Sequence, residues 1–247
     1  MFSRQVQGRT ATVRLSTLAI VTALLLSGCS GAPYSCDMNH CYGTVAWSGA
    51  ATGFSMELTA VPLTSGDNFI DDEGWLIDYF ASGDPTKGAY WVETGEANDG
   101  AGTEYFWAEN KAYWGYMQYD LGPVSQHDLN HATWIAYKVE QDSKTPSSWN
   151  VTISDAKSGS VLFTGQSTEN SMSPNNVTEG QELAGHQGAQ APIALFSENA
   201  IINGKKMTFQ TSDGASTVNE PPNAGWFPGN NKPSQTTNGG TWFTDCC

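Results

Sequence analysis

The chain has 247 residues, is 39% apolar and 15% charged, and carries 9 Trp, 9 Tyr and 10 Phe; so much aromatic surface excludes a disordered tail and calls for a core in one good-sized domain. Lys and Arg total 11 against 25 Asp and Glu, giving a formal charge of −14, and no arginine follows Arg14. A chain so poor in clustered cations excludes nucleic acid and anionic membrane surfaces as partners.

In chain order, Met1 to Thr17 is a basic region (Arg4, Arg9, Arg14), and Leu18 to Leu26 is an apolar run about half as long as a bilayer-spanning helix. This pattern predicts an export signal and not a permanent anchor. The residues that follow, Leu26-Ser27-Gly28-Cys29, resemble the lipobox of bacterial lipoproteins. The resemblance implies cleavage before Cys29, lipidation of its sulfur, and a mature chain held at the bacterial cell surface by that anchor alone. Export also favours disulfides, and Cys36, Cys41, Cys246 and Cys247 are the candidates. A bridge between the neighbours Cys246 and Cys247 is strained, so both are expected to bond back to Cys36 and Cys41.

After the signal, periodicity of two dominates and no amphipathic helix is evident. The clearest strand is Gly53 to Ala60, with Phe54, Met56, Leu58 and Ala60 on one side. Further strands are expected at Trp75 to Phe80, Tyr90 to Gly95, Glu104 to Glu109, Tyr113 to Leu121, Thr133 to Glu140, Trp149 to Ser154, Val161 to Thr164, Glu182 to Ala184, Ile193 to Phe196 and Lys206 to Gln210. Asn203-Gly204 between Ala200-Ile-Ile202 and Met207 signals a hairpin. Many short strands without crossover helices predict an all-β fold, an antiparallel two-sheet sandwich of jelly-roll type. The expected organisation is a signal over 1–28, a lipidated tether over 29–40, a sandwich over 41–211, and an extended Gly/Asn/Pro-rich tail over 212–247.

The succession Tyr90-Trp-Val-Glu-Thr-Gly95, Tyr105-Phe-Trp-Ala-Glu109, Trp149-Asn-Val-Thr-Ile153, Glu179-Gly-Gln-Glu-Leu183 and Ala191-Pro192 resembles secreted jelly rolls of the glutamic-peptidase type and of exported actinobacterial proteins. The resemblance implies a groove on one sheet. It also implies a late-strand Glu as general acid/base, Glu182 or else Glu179, with Glu93 on an earlier strand. The sequence departs from the fungal enzymes in having no Gln near Trp91 to Glu109, so a two-Glu arrangement requires Glu93 and Glu182 to face each other. The alternative is that both belong to a solvated acidic face.

The strand from Tyr113 to Asp120 is aromatic on both parities. One parity fills the core, which leaves Trp114, Tyr116, Gln118 and Asp120 as a ligand-binding face of aromatic plates, amide and carboxylate. His127, Asp128 and His131 have helical ligand spacing but fall in an apparent loop. Asp67, Asp71, Asp72 and Glu73 match no EF-hand loop and read as solvated turn acids. No metal or other cofactor is expected. These features lead to a surface lipoprotein binding an extracellular glycan or peptide polymer. A glutamic-type peptidase and a ligand-free structural envelope protein are the alternatives.

Overall fold

The computed structural model describes residues 40–63, 69–79, 89–98, 102–111, 114–184, 194–197, 199–220 and 241–244. They form two antiparallel sheets. The seven-stranded sheet has the order β14 (Ser216–Glu220), β1 (His40–Ser48), β10 (Asn176–Ala184), β3 (Phe69–Asp78), β4 (Tyr90–Asn98), β5 (Glu104–Lys111) and β6 (Gly115–Pro123). The eight-stranded sheet has the order β13 (Lys205–Thr208), β12 (Asn199–Ile202), β2 (Gly53–Thr59), β7 (Trp134–Gln141), β8 (Trp149–Asp155) and β9 (Val161–Ser167). In that sheet β11 (Ala194–Ser197) also pairs with β2, and β15 (Thr241–Thr244) pairs with β11. The all-β sandwich expected from the period-two pattern is therefore present.

The alternation that marked β2 is the alternation that fills the core. Phe54, Met56 and Leu58 are fully buried and meet Leu76, Val92 and Val177 of the facing sheet. Burying each large side chain contributes about 1.5–3 kcal/mol. Trp149 is equally buried, and its Nε1–H donates to the Asn170 carbonyl over 2.9 Å. Asn203 and Gly204 adopt φ of 50° and 74° between β12 and β13, which is the left-handed turn their sequence demands.

Four parts differ from the sequence expectation. Strand β3 begins at Phe69, so Asp71, Asp72 and Glu73 are not solvated turn acids; they lie in a central strand, 3%, 0% and 1% exposed. Strand β10 extends back to Asn176. Of the segment expected to be an extended tail, 216–220 and 241–244 add strands to the two sheets. Finally, Gln126–His131 is a short helix, α1, where a loop was expected. Ser125 caps it, its Oγ accepting from the Asp128 N–H, and Ala132 ends it in the left-handed region at φ 47°.

Beneath this frame lies a polar row inside the sandwich. Gln181, Asp72 and Glu96 stand level on β10, β3 and β4, on the parity that carries the core residues Leu76, Val92 and Val177. All three are fully buried, and Tyr137 of β7 reaches across to donate its hydroxyl proton to Glu96 Oε1 over 2.8 Å. Burial raises the Glu96 carboxyl from 4.5 to about 7. Burial, and then the neighbouring Glu96, also hold Asp72 well above the usual carboxylate range. Glu179, fully buried on the same parity, is raised by burial as well.

Candidate ligand-binding groove

The opposite face of the seven-stranded sheet carries a groove of about 270 Å³. Strand alternation supplies its lining: Tyr42 and Thr44 from β1, Thr178 from β10, Trp75 from β3 and Trp91 from β4, with Tyr79 just past the end of β3. Tyr42 and Trp75 meet edge to face with ring centroids 6.1 Å apart. Aromatic plates interspersed with threonine hydroxyls suit a ligand that has both apolar faces and hydrogen-bonding groups.

At one side the groove passes into the face expected from the sequence. The Trp91 and Tyr116 rings lie 6.3 Å apart. From there Tyr116 donates its hydroxyl proton to Gln118 Oε1 over 2.7 Å, and the Gln118 amide donates to Asp120 Oδ1 over 2.9 Å. This ladder occupies the edge strand β6, with Tyr116 52% exposed and Trp114, just before the strand, 65% exposed. On the other parity Tyr119 stacks on Trp107 at 4.1 Å but stays 37% exposed, and no residue of β6 is buried, so neither parity of this strand fills the core as expected. Tyr113 lies outside the described residues.

The groove face also carries four buried carboxyls, Asp71, Glu73, Glu93 and Glu182. None is on a solvated face. Glu93 is 5% exposed, and burial pushes its carboxyl up to about 7 against the opposing pull of the polar edges of Tyr116, Trp91 and Trp75. Glu73 is also held well above the usual carboxylate range, by burial first and then by the charges of Glu93, Asp71 and Asp72. Glu93 and Glu182 share the face but not a row. Glu93 stands level with Trp75 and Thr178, and Glu182 lies four residues further along β10, opposite Asp71. At about 4.8 Å between strands and about 3.3 Å per residue, their Cα atoms are roughly 16 Å apart. Glu73 lies between them, and it is Glu73 that interacts with Glu93.

Gly95 makes room for Glu73. Gly95 and Gly180 are its neighbours on β4 and β10. A Cβ at Gly95 would stand 2.7 Å from the Glu73 Cβ and 2.1 Å from the Asp72 carbonyl oxygen. The acid cluster that includes Glu73 stands out in the sequence but reads as a solvated turn, because an acid triplet normally forms one. Tyr42, Thr44, Trp75, Tyr79 and Thr178 were not expected at a site either, since membership depends on which strands become neighbours.

His127 and His131 do share α1, with rings 4.3 Å apart, but they join no group of three potential metal ligands among the described residues. Cys29, Cys36, Cys246 and Cys247 lie outside the described residues, as does Asp67; Cys41 lies in β1, where its side chain is not described.

No protein-family model matches the sequence, and no curated protein is detectably similar to it. Among solved structures, the chain is similar to scytalido-glutamic peptidase bound to a peptide-based transition-state analog, with a TM-score of 0.53 and 12% identity over 87% of this chain and 100% of that one. A second structure of that peptidase with a transition-state analog inhibitor gives a TM-score of 0.54 and 12% identity, covering 84% and 98%. SCP-B, a member of the eqolisin family of peptidases in complex with the tripeptide Ala-Ile-His, gives 0.48 at 12% identity, covering 87% and 100%. At these identities the likeness establishes what the strand order also shows: a two-sheet β-sandwich, spanning most of this chain and nearly all of the peptidase.

Proposed function

We propose that the groove binds an extended extracellular polymer, peptide before glycan, in a chain exported and anchored to the bacterial surface through a lipid on Cys29. The observation that carries this reading is the aromatic, hydroxyl-bearing groove that continues through Trp91 and Tyr116 into an exposed ladder. A monomer seldom leaves such a strip uncovered unless something binds there. Peptide is preferred because the peptidase of like fold was solved with a peptide-based analog. Retention on immobilised unfolded peptides and on cell-wall polysaccharide tests the reading. Wild type is expected to be retained, with at least tenfold weaker retention for Trp91→Ala and a smaller loss for Trp114→Ala. Equal retention of all three would refute it.

A second reading, hydrolysis of the bound polymer, is favoured by one observation. Glu93 sits buried on the groove face next to a second buried carboxyl, Glu73, and such a pair can divide the donor and acceptor roles. Cleavage of unfolded protein between pH 2 and 6 by wild type, abolished in Glu93→Gln, would establish it. Inertness of wild type leaves binding as the function.

A further inference from the structure

We propose that Asp71, Glu73 and Glu182 hold a divalent cation of calcium type. The register brings them together: Glu182 stands directly opposite Asp71 across the β10–β3 ladder, and Glu73 is two residues along β3 on the same face. One carboxylate oxygen from each lies within 4.8 Å of the others. The three residues are 3%, 1% and 6% exposed, so water does little to separate their charges.

Two further observations point to an ion. Glu73 Oε2 is buried with no hydrogen-bond partner, although a buried polar atom normally has one. Among the described residues, no lysine is paired with Glu73. No arginine follows Arg14, and Lys111, the lysine on a described strand of this sheet, is engaged by Glu109 at 2.9 Å and the Thr168 carbonyl at 2.8 Å. Three carboxylates offer up to six hard oxygens, the donor type and number that calcium accepts, with no nitrogen or sulfur to favour zinc.

Neighbouring aromatics supply a readout independent of polymer binding. Tyr42 pairs with Glu182 across β1 and β10, and Trp75 is two residues beyond Glu73 on the same face, so bound Tb3+ should be sensitised by excitation of the protein. The experiment titrates Tb3+ into the purified full chain at pH 7. Expected are emission that saturates at one ion per chain, displacement by Ca2+, and at least tenfold weaker binding in Glu182→Gln and Asp71→Asn. Glu57→Gln, on the other sheet, should bind as wild type does. Circular dichroism establishes that each variant folds; if they do not, a Ca2+-dependent rise in the Tm of wild type, reversed by chelator, takes their place. Absence of saturable emission, failure of Ca2+ to displace Tb3+, unchanged binding in both site variants, or a Tm indifferent to Ca2+ would overturn the proposal. Because Trp91→Ala leaves these ligands intact, loss of polymer retention in that variant and loss of ion binding are separate failures.

Discussion

Glu96 offers the sharpest test of how the interior is held. Its carboxyl is fully buried, accepts the Tyr137 proton at 2.8 Å, and is raised from 4.5 to about 7. A raised carboxyl keeps its proton in the folded chain at a pH where the unfolded chain has lost it. Its penalty is therefore absent below about 4.5, grows as pH rises, and is complete above about 7. At about 1.4 kcal/mol per pH unit this is about 3 kcal/mol, or roughly 6–12 °C in Tm for a domain of this size. Glu96→Gln removes the titration but keeps an oxygen to accept from Tyr137, and its new amide can donate towards Asp72, the next residue in the row. Urea denaturation at pH 5 and pH 8 should show the variant gaining about 3 kcal/mol on wild type between the two. Stability curves that stay parallel across that range would refute the reasoning.

Three other substitutions probe the same frame. Tyr137→Phe deprives Glu96 of its donor and should cost about 1–3 kcal/mol at pH 8 in urea titration. Gly95→Ala drives a methyl to 2.1 Å from the Asp72 carbonyl oxygen in a central ladder; a loss of more than about 2 kcal/mol by the same method is expected, as for other overpacked sites. Leu58→Ala, in the fully buried face of β2, should lower stability by about 2–5 kcal/mol.

Legibility in the sequence followed burial chemistry. Strand β2 was plain because Phe54, Met56 and Leu58 are apolar where the core lies and Ser55, Glu57 and Thr59 are not. The first half of β3 and most of β10 were hidden because Asp72, Glu179 and Gln181 occupy core-facing positions that the alternation rule reserves for apolar residues. The same inversion concealed the site. Polar residues packed on both faces of one strand, Asp71 and Glu73 outward with Asp72 inward, look like a solvated turn until the register with β4 and β10 is known. The ladder from Tyr116 to Asp120 was readable because its aromatic and polar residues alternate along one edge strand, although that strand buries neither of its faces. Its junction with the groove depends on a contact between Trp91 and Tyr116 that pairing across three strands creates.

The central claim is that ligand occupies the outer face of the seven-stranded sheet, and the indole N–H resonances of the tryptophans test it most directly. Those of Trp75 and Trp91 line or border the groove, whereas Trp149 and Trp47 donate inward to the carbonyls of Asn170 and Asp213, each over 2.9 Å. On titration with unfolded peptide and then with soluble cell-wall glycan, the account predicts that the Trp75 and Trp91 signals shift with at least one of them while those of Trp149 and Trp47 stay in place. Shifts confined to Trp149 and Trp47, or no shift with either polymer at saturating concentration, would contradict it.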